Sequence, residues 1–122
     1  MSQLLEQLKV LGFTPVTRWV LKGDRIKLAD LDWVEEAGWL YAFAVAQEVK
    51  YVGLTSRVLR SRMDNYRDQS DSQNERVREA IRLALDAGHD VWILGLPVAE
   101  PERRASEEAR LRSELCPPWN RM

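Results

Sequence analysis

The spacing of apolar residues changes along this chain, and each change marks an element. Gln3 to Leu11 (QLLEQLKVL) sets Leu4, Leu5, Leu8 and Leu11 at helical spacing, and Gly12 stands where a helix-ending glycine belongs. After Pro15, Val16, Arg18, Val20 and Lys22 alternate with Thr17, Trp19 and Leu21, which predicts a half-buried strand joined through KGDR to a second short one. ADLDWVEEAG reads as an irregular or short helical connector. Trp39 to Val45 (WLYAFAV) and Val49 to Gly53 (VKYVG) are two apolar runs separated by Ala46 to Glu48, which is hairpin distance.

A helix carrying Arg57, Arg60, Arg62 and Arg67 is predicted after Gly53, with Thr55 or Ser56 as its cap. Ser70 to Asn74 reads as a polar loop. A helix over roughly Glu75 to Ala87 places Val77, Ala80, Ile81, Ala84 and Leu85 on one stripe and closes at Gly88. DVWILGLPV is an almost continuous apolar strand, buried on both faces if central. A last helix, about Glu102 to Cys116, ends where PPWN forbids continuation.

This order predicts an α/β (α+β) fold: a small, mainly antiparallel, three-stranded central sheet flanked by helices. Residues 1–34 form an N-terminal helix and short-strand extension to a main domain over 35–122, the whole being one compact unit. A chain of 122 residues suits one domain with a real core.

Composition narrows the function classes. Charged residues make up 30% and hydrophobic ones 45% of the chain, and the formal net charge is -1. The total charge therefore says nothing for nucleic acid, but its distribution does. Arg57, Arg60, Arg62 and Arg67 cluster in one span, and Arg76, Arg78 and Arg82 follow, enough for local phosphate contacts or for a solvated helix face. One cysteine, Cys116, excludes an internal disulfide, and with His89 alone there is no zinc-type ligand set. Any metal would be a hard cation on carboxylate and water. No run approaches a membrane span and the start lacks a signal-peptide core, so the expected location is cytoplasmic.

Two charges fall on packing faces. Leu59, Arg62, Met63 and Tyr66 share one helix face, at offsets of three, four and seven. In the last helix the predicted stripe is Ala105, Leu111 and Leu115, and Glu108 lies beside it. Arg62 and Glu108 form a buried ion pair, or Arg62 snorkels to water, or both serve chemistry. Tyr41 and Tyr51 stand ten residues apart on strands that should pair; each alone is ordinary packing. His89, at a helix end, is given no catalytic role.

Together these fragments resemble the GIY-YIG nuclease superfamily. Trp39-Leu40-Tyr41, Tyr51-Val52-Gly53, Arg62 with Tyr66, Glu108, and Pro117-Pro118-Trp119-Asn120 follow one another in the family's order over residues 39–120. Three departures stand out: Trp39 replaces the first glycine, with Gly38 next to it; Leu54 replaces a frequent lysine; and Arg62 comes one residue late. The resemblance implies a metal-dependent DNA endonuclease. Glu108 would hold one Mg²⁺ or Mn²⁺, Arg62 would pair with the scissile phosphate, and Tyr41, with Tyr51 nearby, would orient or deprotonate water. As a base Tyr41 needs cationic neighbours to lower its pKa, which Arg62 and the metal are expected to do. Tyr66 would hold the phosphate or the Tyr41 hydroxyl, while Gly53 and Asn120 are structural. Lys50, Arg57, Arg60 and Arg67 are candidate nucleic-acid contacts. RNA as substrate and a homodimer or targeting partner stay open, with Arg18, Lys22, Arg25 and Lys27 in the extension read first as structural or oligomerisation residues. The alternative is a GIY-YIG-fold nucleic-acid-binding or protein-interaction module with weak or no catalysis.

Overall fold

A computed structural model describes residues 2–29, 36–68 and 72–121. Its centre is one five-stranded sheet in the order β2-β1-β5-β3-β4, with antiparallel neighbours throughout. The strands are β1 (Thr14–Lys22), β2 (Arg25–Leu28), β3 (Ala37–Val45), β4 (Glu48–Val58) and β5 (Val91–Pro97). The helices are α1 (Ser2–Val10), α2 (Leu59–Asp68), α3 (Ser72–Asp86) and α4 (Pro101–Leu115), and a short 3-10 turn, Pro118–Arg121, follows.

The expected three-stranded sheet is thus corrected to five strands. Strand β5 is apolar on both faces and needs a neighbour on each side. It takes β3 on one and β1 on the other, so the N-terminal hairpin extends the same sheet. Between β3 and β4 the chain turns through Ala46 and Gln47, both left-handed (φ 51° and 71°), as a two-residue hairpin requires. Strand β4 outlasts the predicted run because pairing to β3 continues past the glycine, as Trp39 with Thr55 and Ala37 with Val58. Thr55 and Ser56 are consequently strand residues, not a helix cap. Helix α3 begins at Ser72, so Ser72 to Asn74 form its first turn rather than a loop; short polar side chains favour that position. The predicted connector falls largely on residues 30–35, outside the described residues.

Alternation along the strands sorts the core into two layers. Trp19, Ile26, Phe43, Val91 and Ile93 lie under α2 and α3, against Leu59, Met63, Val77 and Ile81. Leu40, Ala42, Ala44, Val52 and Leu94 lie under α1 and α4, against Leu8, Leu111 and Leu115. Burying each Val, Leu, Ile, Phe or Met side chain among these contributes roughly 1.5–3 kcal/mol. The stripe of α4 differs from expectation at one place: Arg104, not Ala105, is buried beside Leu111 and Leu115. No helix among the described residues is long and apolar enough to cross a membrane.

Candidate functional site

The helix face that carries Arg62 packs directly on the strand tyrosines. Helix α2 buries Leu59, Met63 and Tyr66 and leaves Arg62 half-buried at their edge. Strand β3 turns Tyr41 to that face, and β4 turns Tyr51 to it. Tyr41 pairs with Gly53 across the strands, and its ring lies over that glycine: a Cβ there would stand 2.6 Å from the Tyr41 hydroxyl oxygen. Gly53 is therefore the slot that lets Tyr41 lie down beside Tyr51.

Four side chains then close a hydrogen-bonded cluster. The Tyr41 and Tyr66 hydroxyls are 2.5 Å apart. Tyr66 donates to Tyr51 at 3.1 Å. Arg62 donates from Nε to Tyr41 and from Nη2 to Tyr66, each at 3.1 Å. Its guanidinium carbon also sits 4.4 Å from the centre of the Tyr66 ring, a cation–π contact one helical turn along. Tyr66 has one proton and spends it on Tyr51, so Tyr41 donates to Tyr66. The hydroxyl protons run in one direction, Tyr41 to Tyr66 to Tyr51, and leave the Tyr51 proton uncommitted within the cluster.

The electrostatics bear on the share of lowering the Tyr41 pKa that was expected of Arg62. Tyr41 is 1% exposed, and burial raises its pKa well above the ordinary tyrosine value. The Tyr51 ring beside it adds to the rise, and the Arg62 charge and the hydrogen bonds shared with Tyr66 and Arg62 offset only part. Tyr66 is raised in the same way, by burial first and by its tyrosine neighbours second. Arg62 therefore does not make Tyr41 a ready base, because desolvating a phenolate costs more here than one partly buried cation returns. Arg62 itself feels burial against its charge, yet the tyrosine oxygens win and its pKa rises.

Glu108 is not part of this cluster. It stands on α4, whose apolar residues pack in the other core layer, and its side chain is 16% exposed. Its partner is Arg112, one turn on, at 3.5 Å, so an ion pair between Glu108 and Arg62 is absent among the described residues. Glu108 lines an open groove of about 460 Å³ with Arg112, Ser113, Cys116, Pro117 and Asn120. Asn120 ties the groove to the sheet. Its Oδ1 accepts from the Val52 N–H and its Nδ2 donates to the Val52 carbonyl, both at 2.8 Å. The amide thus pairs with β4 as a further strand would, covering part of an open edge. Val52 lies between Tyr51 and Gly53, so groove and tyrosine cluster meet along one strand edge.

The proposed backbone-contact residues divide. Arg57 and Arg60 are exposed, and among the described residues their side chains form no ion pair. Lys50 pairs with Glu48 at 3.1 Å, and Arg67 with Asp68 and Asp64 at 3.0 and 3.5 Å, so both are already engaged. Sequence reasoning missed Arg104, which lies on the Glu108 stripe four residues earlier and is 6% exposed. Its place seven residues before Leu111 was the available signal.

No protein-family model matches the sequence, and no curated protein matches it by sequence. The fold matches a solved structure of a mutant of bacteriophage T4 EndoII, with a TM-score of 0.75 over 93% of this chain and 96% of that one. The two are 23% identical, and the likeness establishes the fold alone.

Proposed function

We propose that this chain is a metal-dependent endonuclease that hydrolyses DNA phosphodiester bonds with one Mg²⁺ or Mn²⁺. The observation that carries the reading is the Tyr41–Tyr66–Tyr51 relay with Arg62 at its rim, on a fold similar to that of GIY-YIG nucleases. Packing alone gives little reason to hold a guanidinium over three converging hydroxyls.

The donor set suits a hard cation of low protein coordination. Among the described residues no three of His, Cys, Asp or Glu converge, but magnesium keeps most of its waters and accepts one carboxylate. Glu108, facing an open groove and bonded to Arg112 only weakly, fits that requirement. When bound, the ion would stabilise charge on the phosphate and the departing oxygen.

The chain's own residues divide the remaining work. Arg62 spends Nε and Nη2 on tyrosines, while its Nη1 makes no hydrogen bond among the described residues and is the group that takes a phosphate oxygen. Tyr51 holds the attacking water, because its proton is uncommitted within the cluster and Tyr66 donates to its oxygen. Tyr41 acts behind it, fixing Tyr66 and Arg62. Arg57 and Arg60 supply backbone contacts beside the site.

Supercoiled plasmid incubated with purified protein tests this. Nicking that requires Mg²⁺ or Mn²⁺ and disappears in Arg62→Ala and Glu108→Ala is expected. A protein that binds plasmid but leaves it intact with every divalent ion tried is instead the binding module, a reading favoured by the present Glu108–Arg112 pair.

A further inference from the structure

The least expected charge in the fold is Arg104. It is almost fully buried, no carboxylate meets its guanidinium among the described residues, and its Nη1 donates to backbone carbonyls: Val98 at 2.8 Å and Ala99 at 3.4 Å. A hydrophobic residue of similar length would bury at less cost, so the guanidinium is there for what it binds. Those carbonyls belong to the connection between β5 and α4. The same connection reaches the start of β3, where the Val98 N–H donates to the Gly38 carbonyl at 3.0 Å.

Gly38 completes the arrangement. Its φ is +87°, and a Cβ added to it would stand 2.6 Å from Arg104 Nη1 and 3.1 Å from the Val98 carbonyl oxygen. Any side chain at this position would push the guanidinium aside, besides straining the backbone. The displacement of the signature glycine from position 39 to 38 thus has a physical counterpart. Trp39 is accommodated with its indole N–H on the Glu36 carbonyl at 2.7 Å, and the glycine is needed one residue earlier, where Arg104 presses on β3.

We infer that Arg104 and Gly38 form a clamp that positions Glu108 against the strand carrying Tyr41. Gly38 lies three residues before Tyr41, and Arg104 lies one helical turn before Glu108 on the same stripe of α4. Asn120 fixes the far end of the same segment to Val52. Between these two ties Glu108 has no polar contact of its own to the sheet among the described residues, so its location follows from theirs. Arg104 is a positioning residue. The inference rests on the reading of Glu108 as the metal ligand.

Its test uses two measurements that do not depend on cleavage. In Arg104→Met, amide hydrogen exchange at Val98 is expected to lose at least about tenfold of its protection while Ala42 and Leu94 keep theirs. The Mn²⁺ concentration that half-broadens the Glu108 amide signal in nuclear magnetic resonance spectra is expected to rise roughly tenfold, the size of effect seen when support behind a metal ligand is removed. Gly38→Ala should reproduce both changes, and adding it to Arg104→Met should bring little more. Should Arg104→Met fail to fold, Arg104→Lys, which keeps the charge and one donor, gives the same pattern at smaller amplitude. Unchanged Val98 protection together with an unchanged Mn²⁺ midpoint overturns the clamp even if plasmid is still nicked. Wild-type broadening at Glu108 with no nicking of any substrate leaves the clamp standing and removes the endonuclease reading.

Discussion

The two faces of the sheet hold their polar groups in opposite ways. On the α2 side, three tyrosines and Arg62 satisfy one another in a nearly dry cluster, so their geometry is set by their own hydrogen bonds. On the α4 side, Glu108 faces an open groove, and its place is set at a distance, by Arg104 before it and Asn120 after it. The first region is assembled before substrate arrives. The second is a carboxylate on a tethered helix, paired with Arg112 at 3.5 Å. The contrast teaches that preorganisation here belongs to the tyrosine–arginine half, whereas the carboxylate half relies on the fold's ties.

Substitutions in the two halves should separate accordingly. The largest effect is expected in the chemistry: Arg62→Ala and Glu108→Ala should each lower the nicking rate by at least about a hundredfold, the scale of removing one charge-stabilising group. Arg62→Ala should also cost stability, since it leaves the Tyr41 and Tyr66 oxygens short of a donor. Glu108→Ala, on the open side, should leave the melting temperature nearly unchanged. Equal stability losses in both would break the comparison.

Next comes Tyr66→Phe. It takes the acceptor from Tyr41 and the donor from Tyr51, so a loss of about 1–3 kcal/mol in denaturant unfolding is expected. Asn120→Ala strips Val52 of both partners on the β4 edge. About 1–2 kcal/mol and a greater tendency to associate through that edge are expected, read by unfolding and by light scattering.

Alkaline titration sharpens the dry character of the tyrosine half. Tyr41 and Tyr66 keep their protons above the ordinary tyrosine range near ~10, whereas the unfolded chain releases them there. The native state then binds more protons than the unfolded one, so stability is full below that range and falls as pH rises through it. Tyrosinate absorbance should therefore rise together with loss of tertiary circular dichroism. Ionisation of Tyr41 and Tyr66 within the ordinary tyrosine range in a protein that stays folded would contradict the cluster. The smallest effect belongs to the exposed arginines. Arg57→Ala or Arg60→Ala should weaken plasmid binding a few-fold and lower the salt slope by about one, with no change in metal dependence.

Much of this was legible in the sequence. The period changes pointed to α1 to α4 and β1 to β5, though not to the full lengths of β4 and α3, and the wheel of α2 put Arg62 with Leu59, Met63 and Tyr66, where it stands. Local pattern could not give the partners. That β1 pairs with β5 is a long-range choice, driven by an apolar strand needing cover on both edges. The extension of β4 through Thr55 depends on β3 lying alongside. The mismatch at Glu108 has the same origin: a helical wheel reports that a residue leans inward, but not which sheet face its helix covers. Arg104 was overlooked because part of its cover, Gly38 on β3, comes from a segment far away in the chain.

The central claim is that the tyrosine–arginine cluster and Glu108, though held apart by different means, serve one reaction. A double-mutant cycle on metal-dependent plasmid nicking, with Arg62→Ala, Glu108→Ala and the double variant, tests it most directly. Groups that act as a unit lose most of their value when either is gone, so the double variant should be scarcely slower than the slower single one. Losses that multiply, or a single variant that still nicks at the wild-type rate, would contradict the claim.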